Sequence, residues 1–257
     1  MYLGLDLGTS GLKGLLIDPD QRIVGSATAP LCVARPSAGW SEQDPDDWIR
    51  AAETVLARLA AEHPKAMAAV RGIGLSGQMH GATLLGEDHR PLRPAILWND
   101  TRAHIEAAAL DADPDFRRIT GNIVFPGFTA PKLAWTARHE PAVFEATRLV
   151  LLPKDHLRLW LTGEAVSDMS DAAGTAWLDV GARAWSEGLL AKTGLDRTRM
   201  PRLVEGTRPA GALREAVAAR FGLAPGTVVA GGAGDNAASA VGMGIVREGD
   251  GFVSLGT

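Results

Sequence analysis

Short apolar runs punctuated by small and polar residues open the chain. Residues 2–6, 12–18 and 22–29 read as three strands, the last two joined by a turn at Pro19 and Asp20. Connections this tight predict an antiparallel meander. The period then changes. Trp48, Ala52, Val55 and Leu59 recur at helical spacing, with Asp44 as N-cap candidate and Pro45 in the first turn. Residues 70–75 return to a strand near Gly74 and Gly77, and 83–85 and 95–98 read as further short strands. The stretch from roughly 100 to 220 is mostly helical, with candidates at 101–110, 131–139, 154–161, 185–192 and 213–220 and a buried strand at 149–152. A strand at 228–230 runs into a glycine-rich turn, a helix of small residues follows at 236–241, and 252–255 begins another strand.

The totals narrow the class. The 257 residues are 46% hydrophobic and 22% charged, an ordinary globular composition with length for one large or two small cores. A net charge of −4 gives no electrostatic case for a nucleic-acid partner. Cys32 is the sole cysteine, so no intrachain disulfide can form. No apolar run approaches the roughly 20 residues that span a bilayer. Met1 leads straight into a strand, so the expectation is a cytoplasmic protein without a leader peptide.

Four stretches carry candidate chemistry. In "LDLGTSGLKGLLID" a turn of Gly8, Thr9, Ser10 and Gly11 can wrap a phosphate with backbone N–H groups, with Asp6 at its mouth. It is not a P-loop, since G-x-x-x-x-G-K-[ST] is absent and no helix pattern follows. In "GGAGDNAAS" the small residues before Asp235 let the backbone bend sharply and a ligand come close. Asp235 stands there as either a helix N-cap or a reactive carboxylate. "GQMHG" follows a strand, and its His80 can donate and accept hydrogen bonds. Asp168 and Asp171 are expected to cap turns rather than to act as paired acid and base. His104, His139 and His156 lack ligand spacing with a carboxylate or cysteine, so no zinc site is expected. Finally, "LGT" follows an apolar strand both in the opening and in the closing "FVSLGT". A stop within a strand-turn unit leaves an unpaired edge. The expectation is therefore that residues 1–245 form one domain and 246–257 the first strand of a second.

The motifs "LDLGTSGLK", "GWSEQDP", "GQMHG", "LWNDTRA", "GFTAPKLAW", "LPKDHLRLWLTG", "SDMSDAAGT" and "GGAGDNAASAVG", in this order, resemble those of the FGGY carbohydrate kinases, and within them the xylulokinase branch. The likeness runs along essentially the whole chain. It implies an α/β fold, with a ribonuclease-H-like domain of the actin-like ATPase type, a mixed sheet flanked by helices, and a cleft between two such domains. It implies ATP and Mg²⁺, a small sugar as substrate, and phosphorylation of D-xylulose, with no nucleic acid or membrane as partner and room for a homodimer. The alternative is a non-catalytic sugar-binding module that keeps the half-fold. By the resemblance, Asp235 is the general base and Asp6 a second catalytic carboxylate that holds hydrated Mg²⁺. Met79, His80, Asn236, Asp100 and Trp40 are implied sugar contacts. For Trp40, stacking on a sugar and pinning its loop stand as equal readings; for Asp100, an ion pair with Arg102 is the competitor. Gly8, Thr9, Ser10 and Thr257 are implied contacts to the nucleotide phosphates. "GFTAPKLAW" reads as scaffold, with Pro131 opening its helix and Thr136 where an aliphatic residue is usual.

Overall fold

The computed structural model describes residues 1–253. The meander forms as expected. Strand β1 (Tyr2–Leu7) pairs antiparallel with β2 (Gly11–Ile17), and β2 with β3 (Ile23–Pro30). On β1, Leu3, Leu5 and Leu7 point to one side and Gly4 and Asp6 to the other, the two-residue period of a strand. Asp18 Oδ1 accepts from the Asp20 and Arg22 amides and closes the turn into β3.

The other neighbour of β1 is the strand Gly72–Gly77, which runs parallel to it, with Asp6 level with Ser76. The strand Val228–Ala230 adds on in parallel and Pro209–Ala212 closes that edge antiparallel. A last pair, Ala233–Gly234, joins the C-terminal end of Gly72–Gly77. Three antiparallel strands followed by parallel ones, flanked by helices, make the mixed ribonuclease-H-like sheet that the motifs implied.

Helix α1 (Pro45–Glu62) lies across the leucine face. Asp44 caps it by accepting from the Asp46 amide, and Trp48, Ala52, Val55 and Leu59 are buried in one core with Leu3, Leu5, Leu16 and Leu75. The approach is close at Gly14, where a Cβ would sit 2.4 Å from Val55 Cγ1 and 3.0 Å from Leu59 Cδ1. A β-branched side chain in a helix has one strongly preferred rotamer and cannot swing aside. Gly14→Ala is therefore expected to cost about 1–3 kcal/mol of overpacking, read from a urea midpoint. An unchanged midpoint would contradict this packing.

Between the strands Gly72–Gly77 and Val228–Ala230 the chain builds a largely helical layer around a second core of Phe116, Leu133, Trp177, Leu189 and Leu190. Here several boundaries depart from expectation. The short helices Pro64–Ala68, Pro114–Thr120 and Pro141–Ala146 were not foreseen, each being too short for an apolar period to repeat. The helix at 101–110 starts only at His104, and that at 185–192 only at Glu187, with Trp185 in a strand and Ser186 as N-cap. Pro131 does not open its helix, which begins at Thr129. Phe252 and Val253 are not in a strand, and the remainder of that expected element lies outside the described residues.

Candidate active site

The functional candidates gather where β1, Gly72–Gly77 and Ala233–Gly234 end side by side. Asp6 is exposed on the sheet face away from the leucine core, and Ser76 Oγ donates to its Oδ1 at 2.7 Å. Lys13 stands opposite Asp6 on β2, on the same face, a cation that spacing alone did not single out. A cavity of about 810 Å³ runs along this face, lined in part by Gly4, Asp6, Lys13, Ser76 and Ala237. Its wall includes neither His80 nor Asp235, so the site is defined by its polar groups and not by this void.

Asp235 is the first residue of the helix Asp235–Gly242. Gly234 is the N-cap, so the N-cap reading of Asp235 is replaced by a first-turn position. Its carboxyl is pushed up by partial burial, pulled down by the Asn236 amide that donates to it, and pushed up again by the charge of Asp6. The Asn236 amide lies 2.7 Å from Asp235 Oδ1 and the exposed Asn236 Nδ2 3.3 Å from it. The glycines ahead of it are required by close approach. Gly232 has φ +71°, and a Cβ there would lie 2.1 Å from the Leu75 carbonyl oxygen. At Gly234 a Cβ would meet Met79 Cγ at 2.7 Å, so Met79 packs directly against the turn that carries Asp235.

The phosphate-shaped turn is locked from beneath. Gly8 donates to the Gly11 carbonyl at 3.0 Å. Thr9 Oγ1 donates to Gln78 Oε1 at 3.1 Å and accepts from Trp98 Nε1 at 2.9 Å. Gln78 Nε2 donates to Gln43 Oε1, Gln43 Nε2 returns to the Thr9 carbonyl at 2.7 Å, and Trp48 Nε1 also donates to Gln43. Gln43 and Gln78 are buried and fix the 8–11 turn to the loop bearing Met79 and His80. Sequence reasoning missed both. The available signal was that each lies inside a motif already noted and that a primary amide can donate and accept at once. Ser10 is exposed at the turn, and Thr257 lies outside the described residues.

His80 has φ +67°, and its ring stacks on Phe128 with centroids 4.7 Å apart. Nδ1 donates to the Gly174 carbonyl at 2.7 Å, which leaves Nε2 of the neutral ring as an acceptor. Burial, then the Lys132 ammonium, push the His80 pKa down to about 4, so the ring is neutral at physiological pH. Lys132 Nζ donates to the carbonyls of His80 and Gly127 at 2.8 and 2.6 Å, and Thr129 Oγ1 also donates to His80. The "GFTAPKLAW" helix thus holds the His80 loop through its backbone.

Asp100 and Trp40 meet at Arg102. Asp100 is buried; its Oδ1 accepts from the Arg102 amide and Nε, and its Oδ2 from the Ser41 amide and Arg102 Nη2. The Arg102 guanidinium lies 3.6 Å over the Trp40 ring, whose edge meets Trp135. These contacts organise the loop before α1, and the ion pair with Arg102 that competes with a sugar contact at Asp100 is formed. Asp168 caps the helix Met169–Ala173, as expected, but Asp171 does not cap. It is the third residue of that helix and turns into the interior, where Lys154 meets it. Among the described residues no helix is long and apolar enough to cross a membrane.

Residues 1–242 match the profile of the FGGY family of carbohydrate kinases, N-terminal domain. The chain is 52% identical to the xylulose kinase of Escherichia coli (strain K12), covering 100% of this chain and 53% of that protein. It is 40% identical to that of Lactococcus lactis subsp. lactis (strain IL1403), covering 99% and 51%. Among solved structures, a xyloylose kinase from Brucella ovis superposes with a TM-score of 0.96 at 66% identity, over 96% of this chain and 51% of that one. The xylulose kinase from Rhodospirillum rubrum does so with a TM-score of 0.92 at 34% identity, over 96% and 51%. The chain spans about half the length of these relatives.

Proposed function

This chain belongs to the FGGY family of carbohydrate kinases, and on that premise we propose that it supplies the sugar-binding half of an enzyme that transfers the γ-phosphoryl group of ATP to D-xylulose, giving D-xylulose 5-phosphate. The observation that carries this reading is the convergence of Asp6, Asp235 and the Met79–His80 loop at one end of the sheet. The relatives named xylulose kinase support the choice of sugar. In this reading residues 1–245 form the sugar-side domain.

A terminal sugar hydroxyl is a poor nucleophile at neutral pH, and its proton must leave as the O–P bond forms. Asp235 accepts that proton. Its raised pKa makes it a better base than an ordinary exposed carboxylate, while the helix N-terminus behind it keeps it ionised. His80 Nε2 accepts a hydrogen bond from a sugar hydroxyl, Asn236 contributes a donor from the next residue, and Met79 supplies an apolar wall. The 8–11 turn faces the nucleotide phosphates, and Lys13 adds positive charge on the same sheet face.

The donor set suits Mg²⁺, which keeps most of its waters and takes one or two carboxylates. Asp6 is exposed, and Ser76 bonds its Oδ1, so Asp6 would hold the ion, through water. When bound, the ion supplies charge neutralisation on the phosphates being separated.

The test is phosphorylation by the whole protein across a panel of ketoses, with D-xylulose expected to give the highest kcat/KM. A preference of tenfold or more for another sugar would overturn the choice of substrate. In the same assay His80→Ala should lower kcat/KM for xylulose several-fold, since a hydrogen bond to a neutral group contributes about 0.5–1.5 kcal/mol and an orphaned partner costs more. Unchanged kinetics with a lowered melting temperature would make His80 structural.

A further inference from the structure

Five charged side chains are buried together beneath the loop that carries Asp235. Lys154, Asp155 and Arg158 come from the helix Pro153–Thr162; Asp168 and Asp171 come from the strand Val166–Asp168 and the helix after it. Lys154 Nζ stands 2.6 Å from Asp155 Oδ1, 2.7 Å from Asp168 Oδ2 and 3.1 Å from Asp171 Oδ2. The three carboxylates each bring one oxygen within 4.8 Å of the others, a grouping that could hold a metal ion. The ammonium already occupies its centre, so the cluster is an internal ion network and not an ion-binding site.

The network reaches the Asp235 loop at two points. Arg158 Nη2 donates to the Gly231 carbonyl. Ser170 Oγ donates to Asp168 Oδ1 at 2.6 Å and accepts from the Gly234 amide at 3.2 Å. Gly231 and Gly234 bracket the turn that aims Asp235. The Gly231 and Gly232 amides donate to the Arg208 and Gly206 carbonyls and Ala233–Gly234 pairs with the sheet, so the network's two contacts add to a turn that its glycines permit but do not by themselves enforce.

The charge count adds a second feature. Three carboxylates face two cations, all fully buried, leaving one negative charge uncompensated if all ionise. Asp155 Oδ1 accepts from both Lys154 and Arg158. Asp168 Oδ1 accepts from Ser170 N, Ser170 Oγ and Asp171 N. Asp171 has only the longer contact to Lys154, and neither of its oxygens accepts a well-formed hydrogen bond. The charged groups around it are Lys154 and Asp155 from one helix, with Arg158 behind Asp155, and Asp168 from its own N-terminal side.

We propose that this buried network is a positioning device for Asp235, with Ser170 and Arg158 as the positioning residues that hold its loop and with Asp171 carrying the proton that closes the charge count. The role assigned to Ser170 rests on the reading of Asp235 as general base. The protonation of Asp171 does not. Burial, reinforced by the charges of Asp155 and Asp168 and opposed by Lys154, raises its pKa to about 8.

The test has three arms, all on the whole protein. In the first, Ser170→Ala should lower kcat for xylulose about tenfold with KM within about threefold, and Ser170→Thr, which keeps the hydroxyl, should restore most of it. If the parent phosphorylates xylulose and Ser170→Ala keeps the parent kcat, the positioning role is overturned. A parent inactive on xylulose overturns the functional reading instead, and the next arm still decides. In the second, hydrogen exchange across residues 231–236 should quicken at least tenfold in Ser170→Ala; unchanged exchange overturns the anchoring of the loop.

The third arm reads melting midpoint against pH. An unfolded Asp ionises near pH 3.9, so between about pH 4 and 8 unfolding releases the Asp171 proton and stability falls as pH rises. Asp171→Asn cannot ionise and should remove that slope, leaving the variant at least as stable as the parent at pH 7. A variant that keeps the parent slope and melts lower at pH 7 would show that Asp171 is ionised in the fold.

Discussion

Asp235→Asn should lower kcat of the whole protein by about 10²–10⁴, the range a positioned general base contributes, while leaving xylulose affinity within a few-fold. The substitution keeps the shape of the side chain and its capacity to accept from the Asn236 amide, and it removes basicity. The alternative carboxylate is Asp6. It is exposed, tied by Ser76, and faces the turn expected at the phosphates, which suits it to a cation better than to a sugar proton. Because Asp235 is only half-buried at the surface end of the sheet, its replacement should leave the melting temperature nearly unchanged. Steady-state kinetics with a parallel melting curve therefore separate the two readings. Normal turnover by Asp235→Asn, or activity lost only through unfolding, would remove it as the base.

The largest stability effect should come from Lys154→Met. Burial alone would strip the proton from this ammonium, and Asp155, Asp171 and Asp168 hold it on, so its pKa is raised. Without it, Asp155 keeps Arg158 and the protonated Asp171 loses one contact, while the ionised Asp168 keeps its three neutral donors and loses the ammonium 2.7 Å from its Oδ2. Removing one partner of a buried ion pair costs about 3–5 kcal/mol, because the other charge stays buried and uncompensated. Against a typical total of about 5–15 kcal/mol this is a large fraction. The expected result is a fall in urea midpoint that exceeds that of Gly14→Ala. A midpoint unchanged from the parent would mean that water reaches these carboxylates.

What the sequence made legible followed from locality. The meander, α1 and its Asp44 cap, and the glycine turn before Asp235 are each specified by residues within a few positions of one another. The pairs that lock the site are not. Gln43 and Gln78 meet across 35 positions, and Ser170 meets Gly234 across 64. Charges in "LPKDHLRLWLTG" would ordinarily be placed on a solvated face, yet Lys154, Asp155 and Arg158 are buried, because Asp168 and Asp171 arrive from the next strand and helix. Read locally, Asp171 therefore looks like a capping residue. Asp113 with Pro114 repeats the Asp44–Pro45 signature, and Asp113 does cap a helix, but two turns give no periodic stripe to recognise. Asp100 shows the converse. The ion pair with Arg102 is one of its two readings from the sequence, and the structure adds the Ser41 amide, 59 positions away, so that both its oxygens are engaged.

The central claim is that Asp6, Asp235 and the Met79–His80 loop form the sugar side of a phosphoryl-transfer site. Its most direct test is ³¹P NMR of the whole protein supplied with ATP, Mg²⁺ and D-xylulose. The account predicts that a sugar phosphomonoester signal grows one for one with the loss of the γ-phosphate signal, and that the Asp235→Asn protein produces almost none over the same period. Loss of γ-phosphate to inorganic phosphate without a sugar phosphomonoester, or the phosphomonoester formed by Asp235→Asn at the parent rate, would contradict it.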